Sequence, residues 1–344
     1  MRRAREAILL AVGVGIVALL AARFGVGDVR AAIAGVHAAR LLAYLCLAVA
    51  VLLGHCLRWR IAAAALGVRL PLRRFVRARL AGDAVGWVVP SARLAGEPVR
   101  FALVNRRWPH ADDGDGPRIG AAMVADRIVE VTANLVCALI YVGVFATVST
   151  LEAAPGARTL LLLMTGALLT VASVLFLSAR RGFRPLWPLY ATAVRRRLPR
   201  LERWLGALQE AEGHLIAFLR DHPRAFVHCF LVSLAVEALV IVEYHTLLAA
   251  FGIFLPLPML LMSLVMTGLV RAIPTPAALG ALEGGQVTLL ELARDQAAVG
   301  FVVGIVLRLH ETLWTAVGFA VLAAEGVSPG RVVRPVQPTE GTAG

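Results

Sequence analysis

Charged residues stand inside long apolar stretches of this chain, and they cluster. Asp83, Arg93, Glu97 and Arg100 form one group, Asp126, Arg127 and Glu130 a second, and Glu283, Arg308 and Glu311 a third, with Glu237, Glu243 and Arg271 in neighbouring segments. A guanidinium presents a planar fork of donors that matches a phosphate, so Arg93, Arg100, Arg127 and Arg308 could hold a lipid headgroup. The carboxylates could repel it, release it or exchange protons. Arg127 and Glu130, like Arg308 and Glu311, are three apart and share a helix face, where each arginine can pair with its own glutamate or with a carboxylate from elsewhere. The candidate binding or translocation set is therefore Arg93, Glu97, Arg100, Asp126, Arg127, Glu130, Glu283, Arg308 and Glu311.

Catalytic signatures are lacking. There is no Gly-x-Ser-x-Gly, His-Glu-x-x-His, P-loop or dinucleotide fingerprint, so no catalytic residue, no cofactor and no enzymatic activity is expected. Cys46, Cys56, Cys137 and Cys229 lie in apolar segments without a Cys-x-x-Cys pair, which argues against disulfides and zinc. His55, His228, His245 and His310 read as packing residues, and His310 beside Glu311 is the one retained as a proton carrier.

The elements that must position these charges follow from composition. Hydrophobic residues make up 59% of the 344 residues and charged ones 17%, which excludes an ordinary soluble domain. The 35 basic residues are all arginine and fall between apolar runs, so the net charge of +13 reads as membrane topology rather than nucleic-acid binding. A spanning helix needs about 20 mostly apolar residues. Six runs qualify, at residues 6–24, 40–58, 119–149, 158–179, 224–251 and 298–324. The first follows basic Met1–Arg5 and is expected to be a retained helix, since no small-residue cleavage site follows it.

Two further stretches, 74–105 and 258–292, are broken at Pro90 and at Pro274 with Pro276. Arms of about 15 residues reach roughly 22 Å, short of a ~30 Å hydrocarbon core, so each reads as a re-entrant helical hairpin. Residues 58–79 hold seven arginines and no acid, and residues 180–203 hold eight more; both are expected to be cytoplasmic. Both termini are then cytoplasmic, and the hairpins enter from opposite sides. Between Arg200 and Arg220 the spacing predicts an amphipathic helix at the membrane surface.

Ala64–Leu72 (AALGVRLPL) recurs 185 positions later as Ala249–Leu257 (AAFGIFLPL). Near the same offset Pro90-x6-Glu97 falls on Pro276-x6-Glu283, and after a shorter loop Arg127-Ile-Val-Glu130 falls on Arg308-Leu-His-Glu311. Order and spacing together indicate a duplication. Each half has an odd number of spans, so the second must sit upside down. The expected fold is an all-α integral membrane protein of about six spans and two re-entrant hairpins in an inverted repeat. Its first half is 1–150, its second half 151–325, and 326–344 is a disordered cytoplasmic tail.

At Pro90-Ser-Ala-Arg93-Leu-Ala-Gly96-Glu97-Pro-Val-Arg100, at Asp126-Arg127 and at Pro276-Ala-Ala-Leu-Gly280-Ala-Leu-Glu283, the chain resembles the flippase-like transmembrane domain family, which includes the membrane half of lysylphosphatidylglycerol synthases. The run Ala121–Glu130 is also similar to members associated with hopanoid biosynthesis. Ala277 and Ala278 stand where members show a glycine pair. No soluble domain is expected after residue 324, so the aminoacyl-transferase activity of the fused synthases is not implied. The resemblance implies a protein of the bacterial inner membrane that moves a phospholipid, isoprenoid-linked or related lipid between leaflets. The competing expectation is a scaffold that presents its basic loops to a lipid-biosynthesis enzyme.

Overall fold

The structure is a computed structural model that describes residues 35–88, 94–105, 115–146, 220–272, 281–294 and 297–326, with isolated positions between 166 and 218. Its elements are helices: α1 (Ala38–Ala65), α2 (Leu72–Val88), α3 (Glu97–Asn105, entered through a 3-10 turn at Leu94–Gly96), α4 (Asp115–Ala146), α5 (Pro223–Ala250), α6 (Leu257–Ala272), α7 (Ala281–Arg294) and α8 (Ala297–Ala324). Four of them, over Ala38–Ala65, Arg118–Val144, Pro223–Ala250 and Val299–Ala324, are long and apolar enough to cross a membrane. These match four of the six expected spans. The runs at 6–24 and 158–179, most of the 200–220 segment and the tail beyond 326 lie outside the described residues.

The outer faces are apolar. On α1, Leu42, Leu45, Val49, Leu53 and Leu57 are exposed at steps of three and four, a continuous stripe along one face. Val227, Leu231 and Val242 on α5 and Leu309, Leu313 and Val317 on α8 are exposed likewise. Such stripes are costly in water and suited to acyl chains. The chain is a multi-pass membrane protein.

The stretches 74–105 and 258–292 each contain two helices, α2 with α3 and α6 with α7. The arms of each pair pack on one another. Glycine sets how closely: a Cβ on Gly96 would run into the backbone of Gly82, and one on Gly82 into the side chain of Arg100. The expected breaks at Pro90, Pro274 and Pro276 lie outside the described residues.

Among the described helices, α1 and α5 make the most extensive contact. They run antiparallel, because the His37 N–H at the start of α1 donates to the Ala250 carbonyl at the end of α5 (2.8 Å), while Ala62 toward the end of α1 packs on Cys229 near the start of α5. Arg40 also donates to the Ala249 carbonyl (2.6 Å), placing a cation on the negative end of α5. Both helices stop in the same way. Gly67 and Gly252 take φ of +88° and +72°, and Val68 and Ile253 donate back to Ala63 and Leu248 at 2.9 and 3.0 Å. Contacts then cross between the sequence halves, α2 packing on α8 and α4 on α6.

Candidate functional site

In the first half the charges close into a ring. Arg127 on α4 donates to Glu130 one turn along (2.9 Å) and to Glu97 at the start of α3 (3.1 Å). Glu97 accepts from Arg100 (2.8 Å), and Arg100 also donates to Asp83 on α2 (2.5 Å). Asp83 pairs with Arg79 (3.5 Å), and Arg79 returns to Glu130 (3.6 Å). The six charges alternate in sign around the circuit. From α1, Arg58 adds a brace: it donates to both Asp126 oxygens (2.7 and 3.3 Å), lies 3.1 Å from Glu130 and reaches Ser233 on α5 (3.3 Å). Four arginines thus face four carboxylates from α1, α2, α3 and α4. Arg58, Arg79, Arg100, Asp126 and Glu130 are buried, where a charge without such partners would cost several kcal/mol, so each is held against an opposite charge.

The second half has a smaller counterpart. Arg308 on α8 meets both oxygens of Glu283 on α7 at 2.8 and 3.0 Å, with Glu283 only 1% exposed. Gly304 makes this possible, since a Cβ there would press on the Glu283 backbone. The same guanidinium lies over the Trp87 ring of α2, 5.8 Å from its centroid. Gln286 on α7 accepts from Tyr244 and donates to Thr267 (3.1 Å), a buried neutral chain linking α5, α6 and α7.

Between the two sets lies a cavity of ≈ 270 Å³, bounded by α1, α2, α5, α6 and α8. Tyr44, Trp87, Tyr244 and Trp314 give it aromatic walls, and among the described residues Asp83, Glu243 and Glu311 bring three carboxylates to a lining with one guanidinium, that of Arg79. His310 lines it too, its ring 5.3 Å from Tyr44 and 6.0 Å from Trp314. Among the described residues no group of His, Cys, Asp and Glu could hold a metal ion.

Helices able to span a membrane, with charges buried between them, are the setting in which a family match can be weighed. The family model of the lysylphosphatidylglycerol synthase TM region matches residues 7–318. The chain belongs to that family. No curated protein and no solved structure matches it.

In this lysylphosphatidylglycerol synthase TM-region chain, eight of the nine residues singled out from sequence lie among the described positions; Arg93 does not. The structure joins Glu97, Arg100, Asp126, Arg127 and Glu130 in one network and Glu283 with Arg308 in another, and puts Glu311 on the cavity. The forks of Arg100, Arg127 and Arg308, expected to be available to a phosphate, are turned onto carboxylates.

One reading needs correction. Arg58 and Arg79 were grouped with the cytoplasmic arginines of 58–79, yet both are buried, at 1% and 7% exposure, and bound to acids from other helices. The apolar run ends at residue 58, whereas α1 continues to Ala65, which keeps Arg58 two turns inside the helix. His55, read as a packing residue, sits 3.6 Å from Glu130 and lines the cavity. The repeat offset carried a signal for Arg58 alone: Glu243, a cavity residue, stands 185 positions after it.

Proposed function

We propose that the protein moves a membrane lipid between leaflets, with the polar headgroup entering the central cavity while the acyl chains stay among the apolar outer faces. The observation that carries this reading is the cavity itself, a charged and aromatic-walled space of ≈ 270 Å³ lined by α2 and α6 together with α1, α5 and α8, the last three apolar enough to span the bilayer. Polar residues at membrane depth line pathways or pair structurally, and this chain does both, with Arg79 and Asp83 shared between the ring and the cavity. The ion-paired ring and the Glu283–Arg308 pair hold the helices, and the cavity receives the cargo. Family membership supports a role with membrane lipids.

The inverted repeat is part of the proposal. Its support is that α1 and α5, related by 185 positions and ending in the same glycine turn, pack antiparallel. Two mirrored halves around one site can open it to each side in turn. The protein acts here as a carrier in a bacterial inner membrane and not as an enzyme.

The test is leaflet protection of fluorescent lipids in proteoliposomes across several headgroup and polyisoprenoid classes. Intact protein should abolish protection for at least one class, and the Glu243→Gln plus Glu311→Gln variant should slow that movement at least about tenfold while keeping its elution profile. Normal movement by the variant would remove the cavity from the mechanism. No movement by intact protein, together with stoichiometric copurification of a lipid-biosynthesis enzyme, would favour the scaffold reading.

A further inference from the structure

A second, smaller cavity lies away from the central one, where the start of α2 meets the end of α8. It has a volume of ≈ 190 Å³ and is lined by Arg73, Arg74, Arg77, Ala78, Leu103 and Glu325. Among the described residues, three arginines and one carboxylate line it. Arg77 reaches Glu325 at 3.3 Å, and the Glu325 side chain is only 8% exposed, so Arg77 has a partner within the wall of the cavity.

The three arginines sit badly with one another. Arg73 and Arg77 are four apart and Arg74 and Arg77 three apart, so like charges stack on one helix face. They also occupy the opening of a 17-residue helix whose first turn carries no acid, adding to the positive end of its dipole. An anion in the cavity would relieve both effects.

Position identifies the anion. Glu325 directly follows Ala324, the last residue of the α8 span, and the arginines lie just past the Gly67 turn that ends the α1 span. Two spans end beside the cavity, which sets it at the depth of lipid headgroups. Its floor is apolar, at Ala78 and Leu103.

We infer that this cavity is a binding site for a phosphate anion, supplied at this depth by the headgroup of an anionic phospholipid, with Arg73, Arg74 and Arg77 as its donors and Glu325 as the internal anion that competes for Arg77. The site is separate from the central cavity and does not depend on transport. A lipid bound here spans the contact between α2 and α8, the same contact that Gly318 makes close by packing against Leu80.

The experiment is native mass spectrometry of the purified full chain in detergent, titrated with dioleoylphosphatidylglycerol or dioleoylphosphatidylcholine, with and without inorganic phosphate. Wild type should retain phosphatidylglycerol over phosphatidylcholine. The combined Arg73→Gln, Arg74→Gln, Arg77→Gln variant should weaken phosphatidylglycerol retention roughly 100-fold, at about fivefold per arginine. Glu325→Gln should tighten it by about fivefold, a gain that misfolding cannot imitate. Displacement by inorganic phosphate would show that the phosphate alone is read, and resistance to it that the lipid is. Equal retention by wild type and the triple variant, or a loss in Glu325→Gln, would overturn the assignment.

Discussion

Arg58 is 1% exposed two turns before the end of a 28-residue helix, and that burial is tolerable only because two carboxylates and a hydroxyl meet its guanidinium. Removing one side of a buried pair strands the other, which typically costs about 3 to 5 kcal/mol, whereas replacing both sides with apolar groups is often close to neutral. Arg58→Met should therefore lower the unfolding temperature in detergent strongly, and Arg58→Met with Asp126→Leu should recover most of the loss. Equal destabilisation of the single and double variants would mean that the pair is not the unit of stability. Spacing alone was enough to anticipate that Arg127 can reach Glu130, since three residues is one helical turn. That Arg127 also reaches Glu97, thirty residues away, depends on how α3 lies against α4, which no local pattern encodes. Arg58 was misplaced for a related reason. A hydropathy run ends where charge begins, but a helix ends where its backbone is capped, and here the cap is Gly67.

At the scale of elements, two short helices within each of the stretches 74–105 and 258–292 were readable from arm length, and α2, α3, α6 and α7 occupy those stretches. What sequence did not show is which glycines bring helices together and which merely occupy helix positions. Gly96 faces the Gly82 backbone and Gly318 faces the Leu80 carbonyl, while a Cβ at Gly120 would meet nothing within 4 Å. Gly96→Ala and Gly318→Ala should each destabilise by about 1 to 3 kcal/mol through overpacking. Gly120→Ala should be neutral or stabilise by up to ~1 kcal/mol, because alanine is the better helix former. Thermal unfolding of the three variants side by side separates packing from propensity. The close-contact assignment fails if all three behave alike.

For the whole molecule, the decisive relation is between α1 and α5. The segments that end them recur at the 185-residue offset and close in the same glycine turn, and that likeness was legible before any coordinates. The packing between them was not, because a sequence repeat is silent on whether its copies lie side by side, parallel or antiparallel. The structure makes them antiparallel neighbours, from His37 against Ala250 at one end to Ala62 against Cys229 at the other. If both cross the bilayer, their equivalent turns must emerge on opposite faces. Cysteines placed just past those turns, Arg69→Cys and Phe254→Cys, in a background without the exposed Cys46, provide the measurement. A membrane-impermeant maleimide applied to intact spheroplasts should label Phe254→Cys at once and Arg69→Cys only after lysis, because the arginine-rich turn belongs on the cytoplasmic side. Labelling of both from the same side would place the two turns on one face, and the inverted arrangement, with the alternating access built on it, would have to be given up.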